Sequence, residues 1–230
     1  MRKSWLTPTV TMGLFIGAAF SAAQAGDGFR PLFNGKTLDG WIQHGGTAKY
    51  EIDNGEIVGT SVPNTSNSFL CTEKQYGDFV LELEFKVDPL LNSGVQIRSQ
   101  IYDKPTEVTI RGKKRKFPAD RVYGYQVEID PSDRAYTGGI YDEARRGWLN
   151  DLSQNEPART AFKQNEWNKF RIVCRGDSSK TSLNGVPAAD LKDSQTPRGL
   201  IALQVHGVGK DQNKVGKQVR WRNIRIKELK

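Results

Sequence analysis

Between Phe79 and Val87 every second residue is apolar: Phe79, Leu81, Leu83, Phe85 and Val87 alternate with Val80, Glu82, Glu84 and Lys86. Successive side chains of a strand point to opposite faces, so a period of two makes this segment a strand with one buried side. Similar short runs recur at 68–72, 94–100, 123–130, 170–175, 200–206 and 219–226. Turn signals stand between them: Asn34-Gly35, Asn54-Gly55, Asn92-Ser93-Gly94, Gly138-Gly139, Asn184-Gly185 and Pro197-Arg198-Gly199. There is no long amphipathic helix; the best helical candidate is a short stretch at 142–152. Many short strands joined by Gly and Asn turns predict an all-β fold, a sandwich or jelly roll. With no internal repeat, low-complexity linker or charge block, residues 26–230 read as one domain.

The start of the chain constrains where this domain works. Arg2 and Lys3 precede an apolar stretch from Met12 to Ala19, which ends in Ala23-Gln24-Ala25. That order of charge, apolar core and small-x-small site is a signal peptide over residues 1–25. The apolar run is shorter than the roughly 20 residues a spanning helix needs, and no cysteine for a lipid anchor stands near the cut. No later segment is apolar enough to span a membrane. The expected location is the periplasm or the exterior. The formal charge of +8 is spread out except at Arg111-Gly112-Lys113-Lys114-Arg115-Lys116. That run lacks interleaved aromatics and reads as a solvated hairpin tip, with no nucleic-acid partner. Cys71 and Cys174 both lie in strand-like segments; a disulfide and two buried free thiols are both compatible with that placement.

Several strands carry an unusual polar side. Opposite Val95 and Ile97 stand Gln96 and Arg98; opposite Tyr125, Val127 and Ile129 stand Gln126, Glu128 and Asp130; opposite Ile201, Leu203 and Val205 stand Ala202, Gln204 and His206. If these strands share a sheet, directional donors and acceptors with a carboxylate, a guanidinium and an imidazole gather on one surface. Such a surface suits a hydroxyl-rich ligand, although a structural polar network would use the same residue types. No Gly-x-Ser-x-Gly elbow, P-loop or dinucleotide fingerprint is present. Two histidines, His44 and His206, stand far apart, so no His-rich zinc site and no cofactor are expected; Asp and Asn in the loops leave an oxygen-ligand calcium site open, although no spacing resembles an EF-hand.

The order of motifs resembles a known family. Leu32-Phe33-Asn34-Gly35-Lys36-Thr37-Leu38-Asp39-Gly40-Trp41 opens the set, followed by Tyr76-Gly77-Asp78-Phe79 and Asn92-Ser93-Gly94-Val95-Gln96-Ile97-Arg98. Tyr125-Gln126-Val127-Glu128-Ile129-Asp130, Thr137-Gly138-Gly139-Ile140-Tyr141, Trp167-Asn168 and Leu183-Asn184-Gly185 come next. Gly199-Leu200-Ile201-Ala202-Leu203-Gln204-Val205-His206-Gly207 then precedes the final strand. Together these resemble the 3-keto-disaccharide hydrolase domain, over nearly all of residues 26–230. The resemblance implies a concanavalin-like jelly-roll β-sandwich of two packed antiparallel sheets, a carbohydrate substrate oxidised at carbon 3, and a functional link to the sugar 3-oxidoreductase that would supply it.

It also carries sugar-site expectations onto Arg98, Gln126, Glu128, Tyr141 and His206. A carbon-3 ketone acidifies the carbon-2 hydrogen, so the chemistry needs a base, an oxyanion stabiliser and an acid. Glu128 is expected as base, Arg98 with Gln126 as stabiliser, and His206 or Tyr141 as acid. Gln96, Gln126, Asp130, Tyr141, Trp148 and Gln204 are expected to bind the substrate. Two other functions are open to these residues. Glu128 and Asp130 on one strand could serve an ordinary two-carboxylate glycanase. Trp41, Trp148, Tyr123, Tyr125 and Tyr136 could instead stack on sugars in a non-catalytic binding module, with Trp148 in a loop as the best rim contact and Tyr125 better suited to core packing.

Overall fold

The structure, a computed structural model, describes residues 28–230, so the residues read as a signal peptide lie outside it. Two antiparallel sheets pack face to face, as the alternation predicts. One contains, in spatial order, Val186–Lys192, Ser178–Leu183, Asn168–Arg175, Phe79–Val87, Gln218–Glu228, Glu56–Thr60 and Lys49–Asp53. The short Arg30–Pro31 strand joins it beside Gln218–Glu228. The other runs Gly147–Asn150, Ile140–Glu143, Val122–Ile129, Ser93–Ile101, Leu200–Val205, Ser68–Thr72 and Trp41–Gly45. The three strands with the unusual polar side are therefore immediate neighbours.

The apolar side of Phe79–Val87 faces the opposite sheet. Leu81, Leu83 and Phe85 are buried there with Val95, Ile97, Val127, Ile129, Phe170, Ile172, Leu203 and Trp221. Phe85 and Phe170 lie with ring centroids 4.5 Å apart. Each such side chain removes enough apolar surface from water to contribute about 2 kcal/mol, and together they clamp the sheets. This frees the other face of the second sheet for polar work. Cys174 is buried in this core and Cys71 on the second sheet's outer side; both are free thiols.

Two local expectations are corrected. The stretch 142–152 is not helical, because Ile140–Glu143 and Gly147–Asn150 pair as a hairpin whose turn places Ala144 and Gly147 at positive φ. That hairpin puts Trp148 on a strand opposite Tyr141, and not in a loop. Among the described residues, the α-helix that forms is the single turn Glu156–Arg159, started by Asn155, whose Oδ1 accepts from the Ala158 N–H at 3.2 Å. The basic run lies on a separate two-stranded hairpin, Thr106–Ile110 with Lys113–Phe117. Phe117 seats it on Tyr102, which in turn stacks on Tyr123 at 4.0 Å. Among the described residues, no helix is long and apolar enough to cross a membrane.

Candidate functional site

Register decides what meets on the outer side of the second sheet. Gln126 is paired with Gln96 on one side and with Tyr141 on the other, and Tyr141 is paired with Trp148. One residue row along, Glu128 is paired with Gly94, and Gly94 with Gln204. Tyr141, Gln126, Gln96, Glu128 and Gln204 thus share one patch, as expected from the period of two.

The three glutamines are a one-way ladder. The Nε2 groups of Gln96 and Gln204 donate to Gln126 Oε1 at 2.6 and 2.8 Å, and Gln126 Nε2 donates to Glu128 Oε2 at 2.8 Å. Ser99 Oγ donates to Gln96 Oε1 at 2.6 Å. An ionised carboxylate only accepts, so its demand fixes the direction of every amide behind it. To cross between its neighbours, the Gln126 side chain passes directly over Gly94. A Cβ on Gly94 would lie 2.4 Å from Gln126 Cδ. Gly94→Ala should therefore displace Gln126, cost about 1–3 kcal/mol, and lower both the unfolding temperature and sugar turnover. A variant unchanged in both would show that the ladder does not need that gap.

The ladder ends at the bottom of an open cavity of about 870 Å³. Glu128 is buried there, with Asn92 Nδ2 donating to Oε1 at 2.8 Å and Arg134 at 3.4 Å from the same oxygen. Burial disfavours its charged form and outweighs these partners, pushing its pKa up to about 7. Tyr141, Trp148, Asp130 and His206 also line the cavity. Trp148 meets the edges of Tyr136 and Tyr141 at 5.1 and 5.2 Å, and Arg134 lies over the Trp148 ring at 5.1 Å. This aromatic wall offers apolar faces beside hydrogen-bonding groups, the combination a sugar ring requires. Burial, with the neighbouring Glu143 and Glu128 charges, raises the Tyr141 pKa, so its hydroxyl stays protonated.

His206 Nδ1 lies 2.8 Å from the Gly207 carbonyl. A carbonyl only accepts, so Nδ1 carries the proton and Nε2 of the neutral ring is the acceptor. His206 is exposed to the cavity, and partial desolvation by the protein around it lowers its pKa. Asp130 is largely consumed by its own turn: Oδ1 accepts from Ser132 Oγ at 2.6 Å and Oδ2 from Arg134 Nε at 2.7 Å.

Arg98 is the expectation that the geometry overturns. The four residues from Gln96 to Ser99 face the three from Leu200 to Ala202, and the partner on the other side shows the same excess of one. This β-bulge breaks the alternation, so Ser99 takes the place behind the cavity that Arg98 would have had. Arg98 instead sits at φ +49°, is buried, and donates to the carbonyls of Gly77 and Gly176 at 2.7 and 2.8 Å and to Asp78 at 2.8 Å. It ties one end of the two sheets together and does not line the cavity. Gln96 and Gln204 do not line it either; they stand behind Gln126. Tyr125 is buried in the core, as its side of the strand predicts.

Sequence reasoning missed four cavity residues that matter. Asn92 was legible only as a turn residue, yet it holds Glu128. Arg134 lies in the loop after Val122–Ile129, where periodicity is silent. Arg121 and Glu143 form a buried ion pair on the cavity wall, with Arg121 also over the Phe69 ring at 5.2 Å. Among the described residues, no group of three or more His, Cys, Asp or Glu side chains is placed to hold a metal ion.

A family model described as the 3-keto-alpha-glucoside-1,2-lyase-like domain matches residues 28–227. Among solved structures, a candidate glycosyl hydrolase from Parabacteroides distasonis is similar at 18% identity and a TM-score of 0.58, covering 88% of this chain and 94% of that one. A Bacillus subtilis protein of unknown function with a galectin-like fold has 10% identity and a TM-score of 0.57, over 87% of this chain and 94% of that one. The carbohydrate recognition domain of Emp47p has 14% identity and a TM-score of 0.51, over 89% and 96%. At these identities the likeness is one of fold. No curated protein matches the chain in sequence.

Proposed function

Because this chain belongs to the 3-keto-alpha-glucoside-1,2-lyase-like domain family, we propose that it is an exported enzyme that cleaves glycosides whose sugar carries a ketone at carbon 3. The observation that supports this best is Glu128: a carboxyl at the floor of an open cavity, held by two amide donors, with its pKa pushed up to about 7. A carboxylate with so high a pKa is a stronger base than an ordinary one, and it is still substantially ionised just above neutrality. That is the property needed to remove a proton from carbon.

In the proposed reaction Glu128 takes the carbon-2 proton, and the electron pair moves onto the carbon-3 oxygen as an enolate. The pair then returns, the carbon-1–carbon-2 double bond forms, and the bond from carbon 1 to the leaving oxygen breaks. Tyr141, protonated and inside the cavity, donates the proton that oxygen takes up. Water adds to the resulting enone to complete cleavage. Arg134, 3.4 Å from Glu128, takes the charge-stabilising role that the sequence suggests for Arg98. His206, with Nε2 free to accept, binds a sugar hydroxyl. The substrate must come from an enzyme that oxidises the carbon-3 hydroxyl.

The test is product analysis of a disaccharide and its 3-keto form in deuterium oxide. Cleavage of the keto form alone, with deuterium at carbon 2 of the product, is expected. Cleavage of the unoxidised sugar would replace this reading with a two-carboxylate glycanase. Saturable binding without cleavage of either sugar would make the protein a binding module.

A further inference from the structure

The basic hairpin is the exposed tip that its sequence predicts, and one of its two faces borders the cavity. Residues directly opposite each other on paired strands share a face, and Lys113 is paired with Ile110, and Arg115 with Val108. Lys113, Arg115 and Phe117 recur with a period of two, and all three line the cavity, as do Ile110 and Arg111 at the turn. Lys114, on the other face, pairs with Glu107 at 2.9 Å. The hairpin therefore turns one cationic side toward the cavity and neutralises part of the side turned away.

The cavity's charges are unevenly matched. Glu143 is taken by Arg121, and Glu128 and Asp130 share Arg134. Among the described residues, Arg111, Lys113 and Arg115 form no ion pair with an acid, while Lys214, also lining the cavity, has Asp211 at 3.9 Å. Three guanidinium or ammonium groups aimed into one concave space repel each other, and the concave walls focus their field into it. The outer hairpin is anchored for this purpose by Phe117, with Tyr102 stacked on one side at 6.4 Å and Arg121 over its ring at 5.7 Å. Elimination from a neutral keto-sugar uses none of these three cations.

We infer that the hairpin Thr106–Phe117 is a specificity element, and that the substrate is a glycoside bearing an anionic substituent: a carboxylate, sulfate or phosphate. The inference rests on reading the cavity as the glycoside site. An open cavity of this volume takes one or two sugar rings with such a substituent and is too small for a nucleic-acid duplex.

Binding without turnover separates this inference from the proposed chemistry. Two matched pairs of unoxidised ligands are titrated calorimetrically: 4-carboxyphenyl against 4-carbamoylphenyl α-glucoside, and methyl α-glucuronoside against methyl α-glucoside. The first pair places the charge on the leaving group, the second on the ring. In at least one pair the anion should bind about tenfold more tightly at low salt, with the advantage shrinking as salt rises. In the Lys113→Gln, Arg115→Gln double variant that advantage should disappear, while the neutral partner's affinity and the unfolding temperature stay unchanged. Equal affinity within both pairs, or a preference that survives the double variant, overturns the inference. So does binding of none of the four. The proposed chemistry fails separately, by loss of cleavage of a neutral 3-keto disaccharide in the same preparation.

Discussion

Glu128→Gln should abolish cleavage and leave a protein more stable than the parent above neutral pH. The substitution keeps shape and removes the proton acceptor, so turnover of a 3-keto glycoside should fall by about three orders of magnitude. The stability gain follows from the direction of the pKa shift. A carboxyl with its folded pKa raised to about 7 binds its proton more tightly in the native state than in the unfolded chain. Its contribution to stability is therefore fully present at low pH, declines as pH rises through about 7, and above that leaves a buried charge costing on the order of 3 kcal/mol.

The Gln variant escapes that decline but must place one NH₂ group among donors. Gln126 cannot turn to receive it, because its oxygen already accepts from Gln96 and Gln204. Asn92 must adjust instead, which takes back part of the gain. The net expectation is about 1–2 kcal/mol of added stability at pH 8 and little difference at pH 5. Denaturant melts at the two pH values measure it. In the parent, kcat/KM should rise with pH through about 7 as Glu128 ionises. A variant that retains turnover, or a parent whose activity falls over that range, would remove Glu128 from the base role.

How much of this was legible in the chain follows from one property of strands. The period of two assigns faces without knowledge of the tertiary structure, so it correctly places Gln96, Gln126, Glu128 and Gln204 together, and Tyr125 in the core. It also separates Lys113 and Arg115 from Lys114, once the hairpin is known to border the cavity. Periodicity fails where the chain leaves the pleat. Arg134 and Asn92 sit in turns, whose residues report backbone shape and not direction. Trp148 reads as a loop residue because the strands on either side of its turn are four residues each, too short for the alternation to show. Arg98 fails for a different reason: it stands inside a strand of clear alternation, and one inserted residue reverses the face. The signal lies elsewhere in the chain, at Gly199. A Cβ there would lie 2.4 Å from the Arg98 backbone carbonyl carbon, so the neighbouring strand must begin with a residue that lets the bulge approach.

If the bulge has this structural purpose, Arg98→Met should damage folding and spare the chemistry. The methionine keeps the apolar stem and removes the guanidinium. Two carbonyls, Gly77 and Gly176, then lose their charged donor, and Asp78 loses its guanidinium partner, keeping only the direct bonds from the Gly176 N–H. Asp78 is itself partly exposed, so water recovers some of that charge; the carbonyls pay most of the cost. About 3 kcal/mol should be lost, which for a chain of this size lowers the unfolding temperature by about 10 °C. Arg98→Lys should restore less than half, because a single ammonium cannot span three acceptors spread across two turns. Below the unfolding range, kcat and KM of both variants should stay within about threefold of the parent, the change expected when no transition-state contact is removed. Calorimetry and steady-state rates on the same samples separate the two roles. A large fall in kcat at an unchanged unfolding temperature would return Arg98 to the reaction and require that the bulge open when substrate binds.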